Sequence, residues 1–163
     1  MYIRMINKKA KWEQEKNKAT KDLSSDIITV CLRTLDETLS LWYLENDSEI
    51  DDAIIALSSG RDLINNIDYL IIPDNYVVKY SLVLKENIGR SPYEKFNKNH
   101  RDIIDINYSI LGVISTMILD VINNGGEIVR VYDDKVQEKL SSALENGFLN
   151  TKTMKPSLLK KIS

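Results

Sequence analysis

Residues 103–122 read Ile-Ile-Asp-Ile-Asn-Tyr-Ser-Ile-Leu-Gly-Val-Ile-Ser-Thr-Met-Ile-Leu-Asp-Val-Ile. Together with Phe96 and His100 upstream, Ile103, Asn107, Ile110, Ile114, Met117 and Val121 recur at steps of four and three, the period of one helical face. Ile104, Leu111, Ile118 and Ile122 form a neighbouring stripe, so residues 106–119 are apolar around most of a helix circumference. Such a helix is buried in the middle of a bundle or embedded in lipid. The run free of formal charge, between Asp105 and Asp120, is fourteen residues long, short of the roughly twenty needed to cross a bilayer. It also carries Asn107, Ser109, Ser115 and Thr116. A central core helix is therefore expected, and membrane insertion is not. Ser91-Pro92-Tyr93-Glu94 supplies its start, with a capping Ser, a Pro at the first helical position and a Glu two residues on. Asn123-Asn124-Gly125-Gly126 stops it.

Outward from this helix, Leu23, Ile27, Val30, Cys31, Leu35, Leu39 and Trp42 predict a helix over 23–44. A second opens at Ser48-Glu49-Ile50-Asp51 and runs through Ile50, Ile54, Leu57, Ile64, Ile67 and Ile71, interrupted at Gly60 and ended by Pro73. Asp74 to Ile88, closed by Gly89, reads as a third and shorter helix, although the β-branched and aromatic run from Tyr76 to Leu84 also admits a strand. Glu127–Tyr132 is a candidate strand with Tyr2–Ile6 as its partner in a two-stranded ribbon. Val136, Leu140, Ala143 and Leu144 mark a last helix. The expected fold is all-α: a single-domain bundle of about five helices around the central apolar one, with one short β ribbon. Residues 1–21 would be a basic arm, polar-helical or partly disordered, residues 22–150 the helical domain, and residues 151–163 a basic tail. In architecture only, this plan resembles the Bcl-2-like fold. That family's diagnostic Asn-Trp-Gly-Arg run is missing, and Ser59-Gly60-Arg61 is no substitute.

The chain has 163 residues, 43% hydrophobic and 28% charged, which suits one globular core. Its single cysteine excludes an internal disulfide, and Cys31, between Val30 and Leu32, reads as a small buried hydrophobe. The first residues lack the apolar stretch of a signal peptide, so a cytoplasmic location is expected, that of a host cell for a viral protein. Abundant Lys, Asn and Ile would suit a virus, phage or mobile element. The net charge of −2 conceals a pattern: residues 1–21 carry +5, residues 22–89 carry −9, and residues 90–163 carry +2. A basic arm thus precedes an acidic body, and Lys152, Lys155, Lys160 and Lys161 make the tail basic again.

Catalytic equipment is sparse. His100 is the only histidine, so any Ser-His-Asp or Cys-His mechanism must use it. On the apolar stripe it reads as a core-edge residue. The Arg-x4–6-His motif of the HEPN ribonucleases fails, because nine residues separate Arg90 from His100. The cluster from Asp47 to Asp52 lacks the Gly and Glu of a calcium loop, Asp52 and Ser58 standing in their places, and suits a helix N-terminus. No Glu-x-x-His repeat or phosphate loop occurs; Gly60-Arg61 stands alone, and Asp102 and Asp105 read as solvated charges. No catalytic residue, metal ligand or cofactor is nominated. The leading expectation is a non-catalytic protein–protein interaction or regulatory protein, acting on a protein partner or as a homo-oligomer. Its patch would be Leu41, Trp42, Tyr43 and Leu44, because four large apolar residues in a row cannot all face one core. The alternative is a nucleic-acid-binding accessory protein using the N-terminal arm, with Arg4, Lys8, Lys9, Lys11, Lys16 and Lys18 on phosphates and Trp12 stacking on bases. The acidic body, with a pI of about 5.5, weighs against it.

Overall fold

The computed structural model describes residues 1–32 and 34–163. It is a mixed α/β fold, not an all-α bundle. Six antiparallel strands form one sheet: β1 (Tyr2–Met5), β2 (Leu39–Tyr43), β3 (Ile67–Ile72), β4 (Leu84–Glu86), β5 (His100–Ile103) and β6 (Val129–Val131), in the spatial order β4-β5-β2-β1-β3-β6. The described helices are α1 (Lys9–Glu15), α2 (Ser25–Cys31), α3 (Ile50–Ser59), α4 (Asp74–Lys79), α5 (Tyr108–Asn123), α6 (Asp133–Glu145) and α7 (Pro156–Ile162). Short 3-10 segments occupy Thr20–Asp22, Asp47–Glu49 and Glu94–Asn99. None of the described helices is long and apolar enough to cross a membrane.

The sheet exists because its central strands are apolar on both faces. In β3, Ile67 and Tyr69 point to one side and Leu70 and Ile72 to the other, the period-two alternation of a strand. A strand buried on both sides reads as a continuous apolar run, which also satisfies a helix's three-and-four spacing. That ambiguity explains the corrections. The helix expected over 23–44 is α2 followed by β2. The second is α3 followed by β3, and the third is α4 followed by β4. The central helix begins only at Tyr108, because the 3-10 turn Glu94–Asn99 and β5 occupy the first part of its expected span. The expected ribbon between Tyr2–Ile6 and Glu127–Tyr132 is instead two strands that both pair with β3, one on each side.

Helices cover both faces, giving three layers. On one face α1, α2, α4 and α5 pack over Leu39, Leu41, Leu70, Ile72 and Ile103. On the other, α3, α6, α7 and the segment Glu94–Asn99 cover Ile3, Trp42, Ile67 and Tyr69. α5 keeps Ile114, Met117, Ile118, Leu119, Val121 and Ile122 buried, but against a sheet and not at the axis of a bundle. The N-terminal arm is part of this fold, since β1 lies between β2 and β3. The tail likewise forms α7, which buries Leu158 and Ile162 and accepts hydrogen bonds from Gln137 and Ser141 of α6 at its Lys161 and Ile162 carbonyls.

Asn107 caps α5: its side-chain oxygen accepts from the Ile110 N–H at 3.0 Å. Loss of such a cap costs about 1 kcal/mol. Asn107→Ala is therefore expected to lower unfolding free energy by about that amount, and Asn107→Asp to preserve most of it, as read by chemical denaturation.

Candidate functional site

Antiparallel pairing of β2 with β5 sets Trp42 opposite His100 and Ser40 opposite Asp102. All four side chains face the α3 side. The imidazole of His100 meets the Trp42 indole edge-on at 5.0 Å between ring centroids, and Phe96 stacks on the indole at 5.7 Å. β1 pairs with β2 at Tyr2↔Tyr43 and Ile3↔Trp42. Just beyond that pairing the Arg4 guanidinium donates to the Ser40 carbonyl at 2.8 Å.

A cleft of about 410 Å³ opens here, between the C-terminal end of α3 and the strands β1, β2 and β5. Met5, Trp42, Ala56 and Leu57 supply its apolar surface, and Arg61, Arg90 and His100 its charge; Arg4 borders it from β1, its side chain directed with Tyr2 to the opposite face of the sheet. No carboxylate lies among its described lining residues. Arg61 follows the end of α3, and its guanidinium rests on the Met5 sulfur. Arg90 is carried by a braced loop. The Gly89 N–H donates to the Asn97 carbonyl at 2.8 Å, and the Asn97 side chain accepts from the Ser91 N–H and donates to the Ser91 carbonyl. The Ser91 hydroxyl meets that of Ser59 at 2.9 Å, tying the loop to α3.

The charge state of these arginines sets them apart. Outside the cleft, Arg101 pairs with Glu86 at 3.0 Å and Arg130 with Asp68 at 2.7 Å. Among the described residues Arg4, Arg61 and Arg90 have no carboxylate partner. Burial lowers the pKa of Arg61, and that of Arg4 to about 10, whereas Asp68 raises that of Arg130. The Arg4 Nε is buried without a hydrogen-bond partner. A guanidinium held away from water with no counter-charge is costly, and an anion relieves that cost.

His100 Nε2 lies 3.8 Å from Asp102 Oδ1, and that carboxylate is already engaged. Ser40 Oγ donates to one oxygen at 3.2 Å and Asn87 Nδ2 to the other at 3.1 Å. Ser, His and Asp are thus neighbours, yet the serine proton points to Asp102 and not to the imidazole. A serine nucleophile requires a bonded base, and among the described residues no hydrogen bond joins Ser40 to His100. Burial pushes the pKa of His100 down, against the opposing pull of Asp102.

Of the residues proposed from sequence, Trp42 and Arg4 border this cleft and the others lie elsewhere. Leu41, Trp42 and Leu44 are buried in or beside β2 and Tyr43 is half-buried, so the row is divided between the two faces of a sheet. In the arm, Lys8 begins α1 with a left-handed backbone at φ 59°, and Arg4 belongs to β1. Lys9 pairs with Glu13, Lys11 with Asp26 and Lys18 with Glu15, while Lys16 is exposed at the end of α1. Trp12 is fully buried and offers no face to a base. Sequence reasoning missed Arg61 and Arg90 as site residues. The available signal was that each follows a glycine, Gly60-Arg61 and Gly89-Arg90. Compared with known protein families, curated proteins and solved structures, the chain gives no match.

Gly89 sets the loop. A Cβ there would lie 2.8 Å from the Trp42 ring, 2.9 Å from Asn97 Oδ1 and 3.2 Å from His100 Cβ. Gly89→Ala is expected to cost about 1–3 kcal/mol by overpacking, measured by denaturation, and to shift the indole fluorescence. The pKa of His100 gives a second expectation. Its folded value lies below the ordinary 6.5, so the unfolded chain takes up this proton first. The stability due to neutral His100 is complete above about pH 6.5 and falls as the pH drops from there toward the folded value. Between pH 7.5 and 5.5 the melting temperature should fall more for the wild type than for His100→Gln.

Proposed function

We propose that this is a non-catalytic binding protein whose cationic cleft captures an anionic group (phosphate, sulfate or carboxylate) of a small ligand. The rest of the ligand would lie on Met5, Trp42, Ala56 and Leu57. One observation carries this reading: among the described residues, Arg61 and Arg90, both without carboxylate partners, and the sole histidine line one cleft that no described acid lines, in a protein of net charge −2. Surface arginines in an acidic chain ordinarily find carboxylates, as Arg101 and Arg130 do. The cleft volume falls within the range of small-molecule sites, about 300–1,000 Å³. Guanidinium forks bind oxyanions with charge-assisted, often bidentate hydrogen bonds. The interaction patch in β2 and the N-terminal arm support their respective readings less well, because the first is interior and the second has its described lysines largely ion-paired and its tryptophan buried.

Sulfate is the simplest probe. At constant ionic strength set with chloride, sulfate should raise the melting temperature of the wild type in a saturable way. The double variant Arg61→Gln/Arg90→Gln should bind it at least tenfold more weakly, a loss of about 1.4 kcal/mol or more. A melting temperature that responds equally to sulfate and chloride in the wild type would overturn the reading.

A further inference from the structure

We infer that the cleft takes up its anion together with a proton, which His100 accepts. This rests on the anion-binding reading of the cleft and deepens it. The His100 side chain is 13% exposed, and its Nδ1 is buried with no hydrogen-bond partner among the described residues. The other nitrogen lies 3.8 Å from Asp102, whose two oxygens already accept from Ser40 and Asn87. No close ion pair fixes the imidazole, which is held by a backbone hydrogen bond with Asn87 and by the more distant Asp102.

Burial weighs against a positive charge on this imidazole. On its own strand stand Arg101 and Asp102; on β4, Lys85 is in register with Asp102. From β2 come Ser40 and the Trp42 ring, from the loop after β4 come Asn87, Gly89 and Arg90, and from Glu94–Asn99 comes Asn97. Arg61 beyond α3 completes the surroundings. Burial is the largest influence and favours the neutral imidazole; Asp102 and a backbone hydrogen bond with Asn87 oppose it, and Arg101 adds a lesser push the same way as burial. An oxyanion against Arg61 and Arg90 reverses that balance. Histidine is the side chain whose proton is exchanged near neutral pH, and the arginines keep theirs. The step is a simple protonation: one proton moves from solvent to the imidazole nitrogen that lacks one, giving an imidazolium, and no other bond changes. Linkage then requires the affinity for the anion to rise as the pH falls, by up to tenfold per pH unit between the two values of the His100 pKa.

Because His100 is the only histidine, its Hε1 proton gives a single imidazole resonance in the intact wild-type chain. That resonance is titrated from pH 5 to 8 in chloride, then in sulfate at equal ionic strength, sulfate itself keeping its charge throughout. The expected result is an upward shift of the midpoint by half a pH unit or more, matched by sulfate binding at least threefold tighter at pH 5.5 than at pH 8. An unchanged midpoint while sulfate still raises the melting temperature overturns the proton coupling and leaves the cleft reading standing. Absence of sulfate binding at every pH removes both. As a second arm, His100→Gln should lose the pH dependence of sulfate affinity. A folded variant that keeps this dependence places the proton elsewhere and overturns the proposal.

Discussion

Four residues, Tyr2–Met5, hold the molecule together by lying between β2 and β3. Neither neighbour pairs with the other, so the sheet is two halves joined through β1: β4, β5 and β2 on one side, β3 and β6 on the other. The strand succeeds there because it faces apolar material both ways, Ile3 buried toward α3 and Tyr2 packed toward α4 and α5. Its position also determines where the cleft can form. Pairing between β1 and β2 extends over two residue pairs, after which Arg4 reaches the Ser40 carbonyl. The opening at the end of α3 is bounded by those same strands.

The cleft departs from the logic of the rest of the surface. Elsewhere charge is balanced locally: Lys79 with Asp120, Lys95 with Asp52, Lys139 with Asp51. In the cleft, Arg61 and Arg90, from separated parts of the chain, meet His100 without a described acid among the lining residues. Local consistency is the ordinary outcome for a folded sequence, and places that break it are where function is to be sought. The bracing of the Arg90 loop by Asn97, Gly89 and Ser91 has the same character. A loop held by side-chain hydrogen bonds presents its arginine with little motional entropy left to lose on binding.

Part of the fold was legible in the sequence. α6 follows the expected span, and Tyr108–Asn123 carries the helical stripe that its apolar pattern indicates. α3 is the front half of an expected helix. The sheet was not legible, for a physical reason. Ile67–Ile72 and Leu39–Tyr43 carry buried apolar residues on both faces, Asp68 and Ser40 being the polar positions, so their alternation is largely masked. Ser91-Pro92-Tyr93-Glu94 has the composition of a helix start, yet long-range pairing of His100–Ile103 with β2 overrides it. The site depended on that same pairing. His100 on a helix is a core-edge residue; on β5, beside β2, it reaches a cleft that also receives Arg61 and Arg90. Nothing in the spacing of residues 61, 90 and 100 announces their meeting.

The placement of β1 also bears on how the chain comes to be folded. This strand is made before both of its neighbours, and β3 lies more than sixty residues downstream. Until β2 is made this short segment has two open hydrogen-bonding edges, and until β3 is made it keeps one of them. Closing so long a loop before any pairing is gained makes folding slow, and it leaves the segment exposed to other chains. The strand on which both halves of the sheet depend is thus made before either of its partners, and its second edge stays open until β3 exists.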